Sequence, residues 1–158
     1  MIFLFIKIMI EYIYKMSSCI TKLQGIIINS AMRVYQQLGK GYTENIYQKA
    51  LFYELSLNNL NIDIERNVNV VYTDTSGCKH IISSNRIDLF IHKNNTYNEG
   101  NIILELKATK KKIDKTEINQ INKYFAEIKK EEIEVSYGLI LNFSQNDEFS
   151  HLLVYPDR

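Results

Sequence analysis

Two strand-like stretches joined by a polar loop most constrain what this chain can fold into. Residues 86–92 and 101–108 are rich in aliphatic and β-branched side chains, and the loop from Lys93 to Gly100 consists of turn-forming residues. This pattern predicts a β-hairpin. If its strands end at His92 and Asn101, opposed residues have numbers that sum to a constant. That register pairs Ile87 with Leu106, Leu89 with Leu104 and Ile91 with Ile102 on one apolar face, and Phe90 with Ile103, Asp88 with Glu105 and Arg86 with Lys107 on the other.

The second face of this hairpin places two carboxylates opposite each other. Like charges that oppose each other on a sheet are destabilising, so Asp88 facing Glu105 indicates a function. A divalent cation between them would turn repulsion into ligation, because magnesium takes carboxylate oxygens and keeps several waters for a phosphate substrate. Lys107 lies two residues from Glu105 and projects from the same face, where it could orient water or neutralise a phosphate oxygen. The register itself is an assumption, since a slip of one residue reverses every side chain.

Composition limits the class of protein. A chain of 158 residues with 46% hydrophobic content has the size of one domain with a real core. Its 19 basic and 18 acidic residues give a net charge of +1, which excludes a global basic field, so any nucleic-acid site must be a local patch. Cys19 and Cys78 predict free thiols in a reducing compartment, and we expect an intracellular, cytoplasmic location.

The first sixteen residues are the most apolar part of the chain. Lys7, Glu11 and Lys15 interrupt the run well short of the roughly 18 apolar residues that a spanning helix needs, and no cleavage site of small residues follows. We therefore expect neither a membrane anchor nor a signal peptide. The remaining alternatives are a poorly packed extension over 1–16 or a true start at Met16, with one domain over 17–158.

Helical spacing recurs in three other segments. Ser17 or Ser18 would cap a helix whose apolar positions run from Ile20 to Leu38, and Gly39-Lys40-Gly41 would end it. Thr43 would cap a second helix with Glu44 in its first turn, ending at Asn58-Asn59. Asp114 and Glu117 form a predicted capping box that opens a third helix. Strands are expected over 67–73, from 79, over 135–143 and, as a short edge strand, over 150–155.

Two motifs carry a family resemblance. Asp88 followed by Glu105-Leu106-Lys107 resembles the Asp…(Asp/Glu)-x-Lys pattern of the PD-(D/E)xK nuclease superfamily. The run from Gly41 to Tyr47 reads Gly-x-x-Glu-x-x-Tyr and resembles the GxxExxY branch of that superfamily. Members of this branch also carry a Gln before an aliphatic residue, with a Tyr four residues further on, and Gln120-Ile121 and Tyr124 resemble that pattern. The resemblance implies an α/β restriction endonuclease-like core, with a mixed central β-sheet flanked by α-helices.

The same resemblance implies a function. Asp88, Glu105 and Glu44 would hold Mg²⁺ or Mn²⁺, helped by the Leu106 carbonyl, while Lys107 orients or activates water and Gln120 supports the site. The expected activity is hydrolysis of phosphodiester bonds in nucleic acid. The alternative is a catalytically inactive module that keeps the fold and binds nucleic acid or a protein partner.

One dense basic cluster begins beside the candidate site. We expect it to contact nucleic-acid phosphates, although such a run is more often a solvated face; its residues are Lys110, Lys111, Lys112 and Lys115. His80, His92 and His151 lack metal-ligand spacing and are expected to be structural or on the surface. The choice of DNA or RNA, the cleavage mode and the formation of a homodimer stay open.

Overall fold

A computed structural model describes residues 21–146 and 148–157. Its sheet has five strands in the order β1-β2-β3-β4-β5; three neighbouring pairs are antiparallel, and β3 and β4 are parallel. The elements are α1 (Lys22–Leu38), α2 (Glu44–Ser56), β1 (Ile62–Thr73), β2 (Lys79–Ile91), β3 (Asn101–Lys107), α3 (Lys115–Lys129), β4 (Val135–Asn142) and β5 (Ser150–Val154). No helix in these described residues is long and apolar enough to span a membrane.

Helices pack on both faces of the sheet. Leu23 and Leu51, from α1 and α2, share one buried cluster with Leu104 of β3. On the opposite face Ile121 of α3 is buried with Ile103. Since adjacent side chains of β3 enter different clusters, this strand is covered from both sides, as a strand next to a parallel neighbour should be. The predicted α/β architecture, a mixed sheet flanked by helices, is confirmed.

Capping boxes mark where α1 and α3 begin, whereas the predicted cap Thr43 precedes α2 without a side-chain capping hydrogen bond. Thr21 accepts from Gln24 N at 3.2 Å and its own N–H donates to the Gln24 side chain at 3.2 Å, so a capping box starts α1 there. The predicted caps Ser17 and Ser18, like the whole segment 1–16, lie outside the described residues. The predicted capping box, Asp114 with Glu117, is confirmed at the start of α3. Strand β1 begins earlier than expected, at Ile62.

The hairpin register is confirmed only near the loop. Leu89 faces Leu104, Phe90 faces Ile103 and Ile91 faces Ile102, and there the β2–β3 ladder ends. The three further pairs expected from the sequence, Ile87 with Leu106, Asp88 with Glu105 and Arg86 with Lys107, are not part of it.

A break in the pairing of strand β2, which itself continues from Lys79 to Ile91, explains that error. The β1–β2 pairing also omits one position, between Ile64↔Leu89 and Arg66↔Ile87. Glu65, the β1 residue at that position, has a left-handed φ of 53°. As a result Ile87 is buried in the cluster on the α3 face and not beside Leu89, so the predicted apolar face loses it. Asp88 is the residue at the break.

Candidate active site

The break in β2 turns Asp88 toward strand β3. Its Oδ2 accepts a hydrogen bond from the backbone N–H of Leu106 at 2.6 Å. The carboxylate therefore occupies the place of a backbone acceptor, which is why the ladder does not continue. The sequence correctly predicted that Asp88 lies close to the Glu105-Leu106-Lys107 segment. The contact is made by the Asp88 side chain, however, and not by the predicted cross-strand pair with Glu105.

Glu105 is the most buried charged side chain of this cluster. Its residue is 2% exposed. Oε1 accepts from Lys107 Nζ at 2.7 Å and from Gln120 Nε2 at 2.6 Å, whereas Oε2 is buried with no hydrogen-bond partner. A buried carboxylate oxygen without a partner is costly, so this atom marks a place where a further positive or hydrogen-bonding group belongs.

Helix α3 ties the two strands together through side chains. Gln120 Nε2 donates to Tyr124 Oη at 2.8 Å as well as to Glu105, and Tyr124 Oη donates to the Arg86 carbonyl at 2.9 Å. Gln120 Oε1 also accepts from Lys107 Nζ at 3.3 Å. The Gln120 and Tyr124 pattern thus fixes Glu105 against the β2 backbone. Sequence spacing placed these two side chains on one helix face, but the Arg86 carbonyl as their anchor was not foreseen.

The electrostatics of the two carboxylates are mutually unfavourable. Burial, followed by the charge of Asp88, raises the pKa of Glu105 to about 7. Burial is also the largest cause that raises the pKa of Asp88 to about 6, and the charges of Glu44 and Glu65 contribute in the same direction. Burial is the largest single influence on the pKa of Lys107 and acts to lower it, but the hydrogen bond to Glu105 and the charges of Glu105, Glu44 and Asp88 together make the net shift upward. Lys107 is therefore an ammonium donor in this arrangement.

Glu44 approaches the same centre from α2. It stands in the first turn of that helix, where negative charge is favoured, and its Oε1 accepts from Ala108 N at 3.4 Å. Ala108 directly follows β3 and Lys107. The structure therefore brings together all five residues that the sequence predicted for catalysis, namely Glu44, Asp88, Glu105, Lys107 and Gln120.

The other two positions of the Gly-x-x-Glu-x-x-Tyr motif have structural roles. Gly41 has a φ of 99°, a left-handed conformation that favours glycine. Tyr47 is fully buried, donates from Oη to the Gly39 carbonyl at 2.6 Å and stacks on the Phe143 ring with centroids 4.4 Å apart. Glu44 and Tyr47 lie about one helical turn apart and so share a helix face. Tyr47 fixes the helix against the core, and the Glu44 carboxylate is thereby held near the end of β3.

Glu65 is a charged neighbour that the sequence did not reveal. It faces the break in β2 and accepts from Arg86 Nη1 at 2.8 Å through Oε2. Its charge reaches Asp88 because the left-handed turn at Glu65 brings β1 to the same point. A positive φ at a Glu is set by tertiary packing, so no sequence signal would have identified it.

The donor set fits a hard divalent cation. Asp88 and Glu105 supply carboxylate oxygens, and Glu105 Oε2 is the unpartnered buried atom. No group of three or more His, Cys, Asp or Glu side chains that could hold a metal occurs within residues 21–146 and 148–157. A magnesium ion held by two carboxylates would keep several waters in its remaining positions.

Of the four lysines that were predicted to contact nucleic acid, two line a cavity and two do not. Lys111 and Lys112 line a cavity of about 1020 Å³ beside α1, and this cavity is lined by none of the five candidate catalytic residues. Lys110 and Lys115 are exposed but do not line it. A smaller cavity of about 380 Å³ lies at Gln120 and Tyr124.

The fold and site are nuclease-like: a mixed sheet brings the half-buried Asp88 of β2 next to the buried Glu105 and to Lys107 at the end of β3. The chain matches the model of the PD-(D/E)XK nuclease superfamily over residues 21–152, and it belongs to that superfamily. Nucleases of this superfamily generally use divalent metal ions.

Individual relatives add little. No curated protein matches the chain significantly. Among solved structures, the protein titled "Crystal structure of SSO0001" is similar, with 18% identity and a TM-score of 0.49 over 72% of this chain and 50% of that one. The chain therefore spans half the length of that structure.

Proposed function

We propose that this protein is a metal-dependent nuclease of the GxxExxY branch that hydrolyses phosphodiester bonds in nucleic acid. The observation that carries the proposal is the buried, unpartnered Oε2 of Glu105, adjacent to a lysine ammonium and close to the Asp88 carboxylate. A buried Glu105 carboxylate beside the half-buried Asp88 carboxylate that repels it is a costly arrangement for stability alone. It suits a site that gains a cation and a phosphate.

Each side chain has a role in this proposal. Asp88 and Glu105 would hold Mg²⁺ or Mn²⁺, with Glu44 as a further carboxylate at the entrance. When bound, the ion supplies positive charge opposite the phosphate and acidifies water. Lys107, as an ammonium, donates to the attacking water or to a phosphate oxygen and stabilises negative charge there. Gln120 holds Glu105 and Lys107 in one orientation through its amide.

The test is a cleavage assay on the full chain with single- and double-stranded DNA and RNA, in magnesium, manganese or chelator. We expect cleavage with metal and none with chelator. Asp88→Asn, Glu105→Gln and Lys107→Ala should abolish it while the protein stays folded. Asp74→Asn, a change at the exposed β1–β2 turn, is the matched control and should retain activity. Equal cleavage by the wild type and all three site variants would refute the proposal.

A second candidate function is a nuclease-fold module that binds without cleaving. The observation that favours it is that the described residues contain no group of three metal-binding side chains. This alternative predicts nucleic-acid or protein binding that is insensitive to metal, and no product with any of the four nucleic acids. The same assay, run beside a binding measurement, separates the two functions.

A further inference from the structure

A basic cavity lies next to the candidate active site and has no role in the chemistry proposed above. It is the cavity of about 1020 Å³ between α1, the lysine segment after β3 and the chain around β5. Ligand pockets commonly have volumes of about 300 to 1,000 Å³, so a few nucleotides can enter. The question is which ligand its lining would recognise.

The cavity begins beside the backbone of Lys107. Phe143 N donates to the Lys107 carbonyl at 2.7 Å, and its neighbours Asn142 and Ser144 both line the cavity. Strands β3 and β4 are parallel and both end here. Ligands of α/β sheets bind outside the carboxyl ends of such strands. A chain that occupied the cavity would therefore continue directly to the carboxylate site.

The charge of the lining favours an anion. Lys40, Lys111 and Lys112 contribute three ammonium groups, against Glu148 among the described lining residues. Lys111 and Lys112 make no salt bridge with any residue in the described ranges, although the charge of Lys111 contributes to the lowered pKa of Asp114. Asn142 Nδ2 donates to the Lys111 carbonyl at 3.0 Å and holds this segment in place.

The aromatic rings of Phe149 and His151 also line the cavity. Phe149 packs against Phe143 with centroids 5.5 Å apart, and the His151 ring stacks on Phe149 at 6.1 Å and an angle of 27°. His151 is exposed. Rings that lie beside lysines match the way proteins bind single-stranded nucleic acid, with bases stacked on rings and phosphates on cations. A duplex offers only phosphates, because its base faces are covered.

We propose that this cavity binds an unpaired stretch of nucleic acid that leads into the active site, so that the substrate is single-stranded or carries a single-stranded segment. The inference rests on the proposed nuclease function and adds the substrate class. Lys40, Lys111 and Lys112 bind the phosphates, and the Phe149–His151 pair stacks on a base.

The test is a binding experiment in chelator, which prevents metal-dependent cleavage. Fluorescence anisotropy with the full chain compares a 12-nucleotide single-stranded DNA, the same RNA sequence and a blunt 12-base-pair duplex. We expect both single strands to bind at least about tenfold more tightly than the duplex. A preference for the duplex, equal affinity or no binding to any probe would overturn the proposal.

Two variants separate the charges from the rings. Lys111→Gln/Lys112→Gln should reduce the slope of log affinity against log salt by about 1.4, since each phosphate contact contributes about 0.7 for single strands. His151→Ala should weaken single-strand binding by about tenfold and leave that slope unchanged.

Matched controls come from other parts of the molecule. Lys93→Gln/Lys129→Gln removes two lysines that line a different cavity, and His80→Ala removes an exposed ring at the β1–β2 hairpin. Neither should alter affinity or slope. If a control matched its test variant, binding would be distributed over the surface and the proposal would be wrong. Single-strand binding without cleavage would refute only the nuclease function, whereas duplex cleavage without single-strand preference would refute only this inference.

Discussion

Replacing Asp88 by Asn should stabilise the metal-free protein and remove its response to metal. The pKa of Asp88 rises from 3.8 to about 6 on folding, mainly through burial, so the folded state disfavours the ionised form. A carboxyl group whose pKa rises on folding lowers the free energy of unfolding only slightly below its unfolded pKa. The loss grows as pH rises from the unfolded to the folded pKa and is complete above the folded pKa. At about 1.4 kcal/mol per pKa unit, a shift of about 2 units costs about 3 kcal/mol at pH 8.

The variant keeps the local geometry. An Asn side-chain oxygen can still accept the Leu106 N–H that Asp88 accepts at 2.6 Å. The free energy of unfolding in chelator should therefore rise by up to about 3 kcal/mol at pH 8, with almost no gain at pH 3. For a chain of this length that corresponds to roughly 6 to 12 °C in melting temperature.

Metal should close most of the stability gap between the two proteins. An ion at about a hundredfold its Kd stabilises the wild type by about 2.7 kcal/mol through mass action. Asp88→Asn should lose most of that gain. The assay is a thermal melt of both proteins between pH 3 and 8, with chelator and with magnesium or manganese.

A control of opposite sign tests the reasoning. Hydrogen bonds from Ser76 and His80 lower the pKa of Asp74 to about 2, so Asp74→Asn should destabilise the protein at pH 8 and leave the metal response intact. The predicted role of the Asp88 charge is refuted if Asp88→Asn melts at a lower temperature than the wild type at pH 8 in chelator, or if metal raises the melting temperatures of both proteins equally.

The remaining predictions concern the supports of the site and the ends of the domain. Glu44→Gln should lose cleavage but cost less than about 1 kcal/mol of stability, measured by denaturation, since it is an exposed first-turn residue; retained turnover would remove Glu44 from the site. Tyr124→Phe should cost about 1 to 3 kcal/mol because the Arg86 carbonyl loses its donor, and cleavage should fall with it; an unchanged melt would contradict this. Gly138→Ala should destabilise by about 1 to 3 kcal/mol, because its Cβ would lie 2.8 Å from a side chain of α3, and a neutral result would show that α3 can shift. Deleting residues 1–15 should leave the circular dichroism spectrum unchanged, since the superfamily match starts at residue 21 and we propose one domain over 17–158; unfolding would show that the segment is needed.

Much of the fold follows from local patterns in the sequence. The capping box at Asp114, the left-handed glycine Gly39 that ends α1 and the buried apolar run of β4 act over a few residues, so spacing alone places these elements. The loop-proximal register of the β2–β3 hairpin is equally local and was predicted correctly. The cap of α1 at Thr21 was missed because Ser and Thr have similar preferences as N-caps, so composition alone does not rank them.

The arrangement of the site depends on distant contacts. Whether Asp88 pairs across the sheet or turns to the Leu106 N–H is decided by a left-handed residue on another strand, Glu65. The alternation of side chains along a strand fails at such a break, and no periodicity within β2 reports it. The sequence by itself determined which residues converge, since motif spacing on strands and helices limits their positions. Only the tertiary structure decided how they contact one another and left Glu105 Oε2 without a partner, because these features arise from packing between elements far apart in the chain.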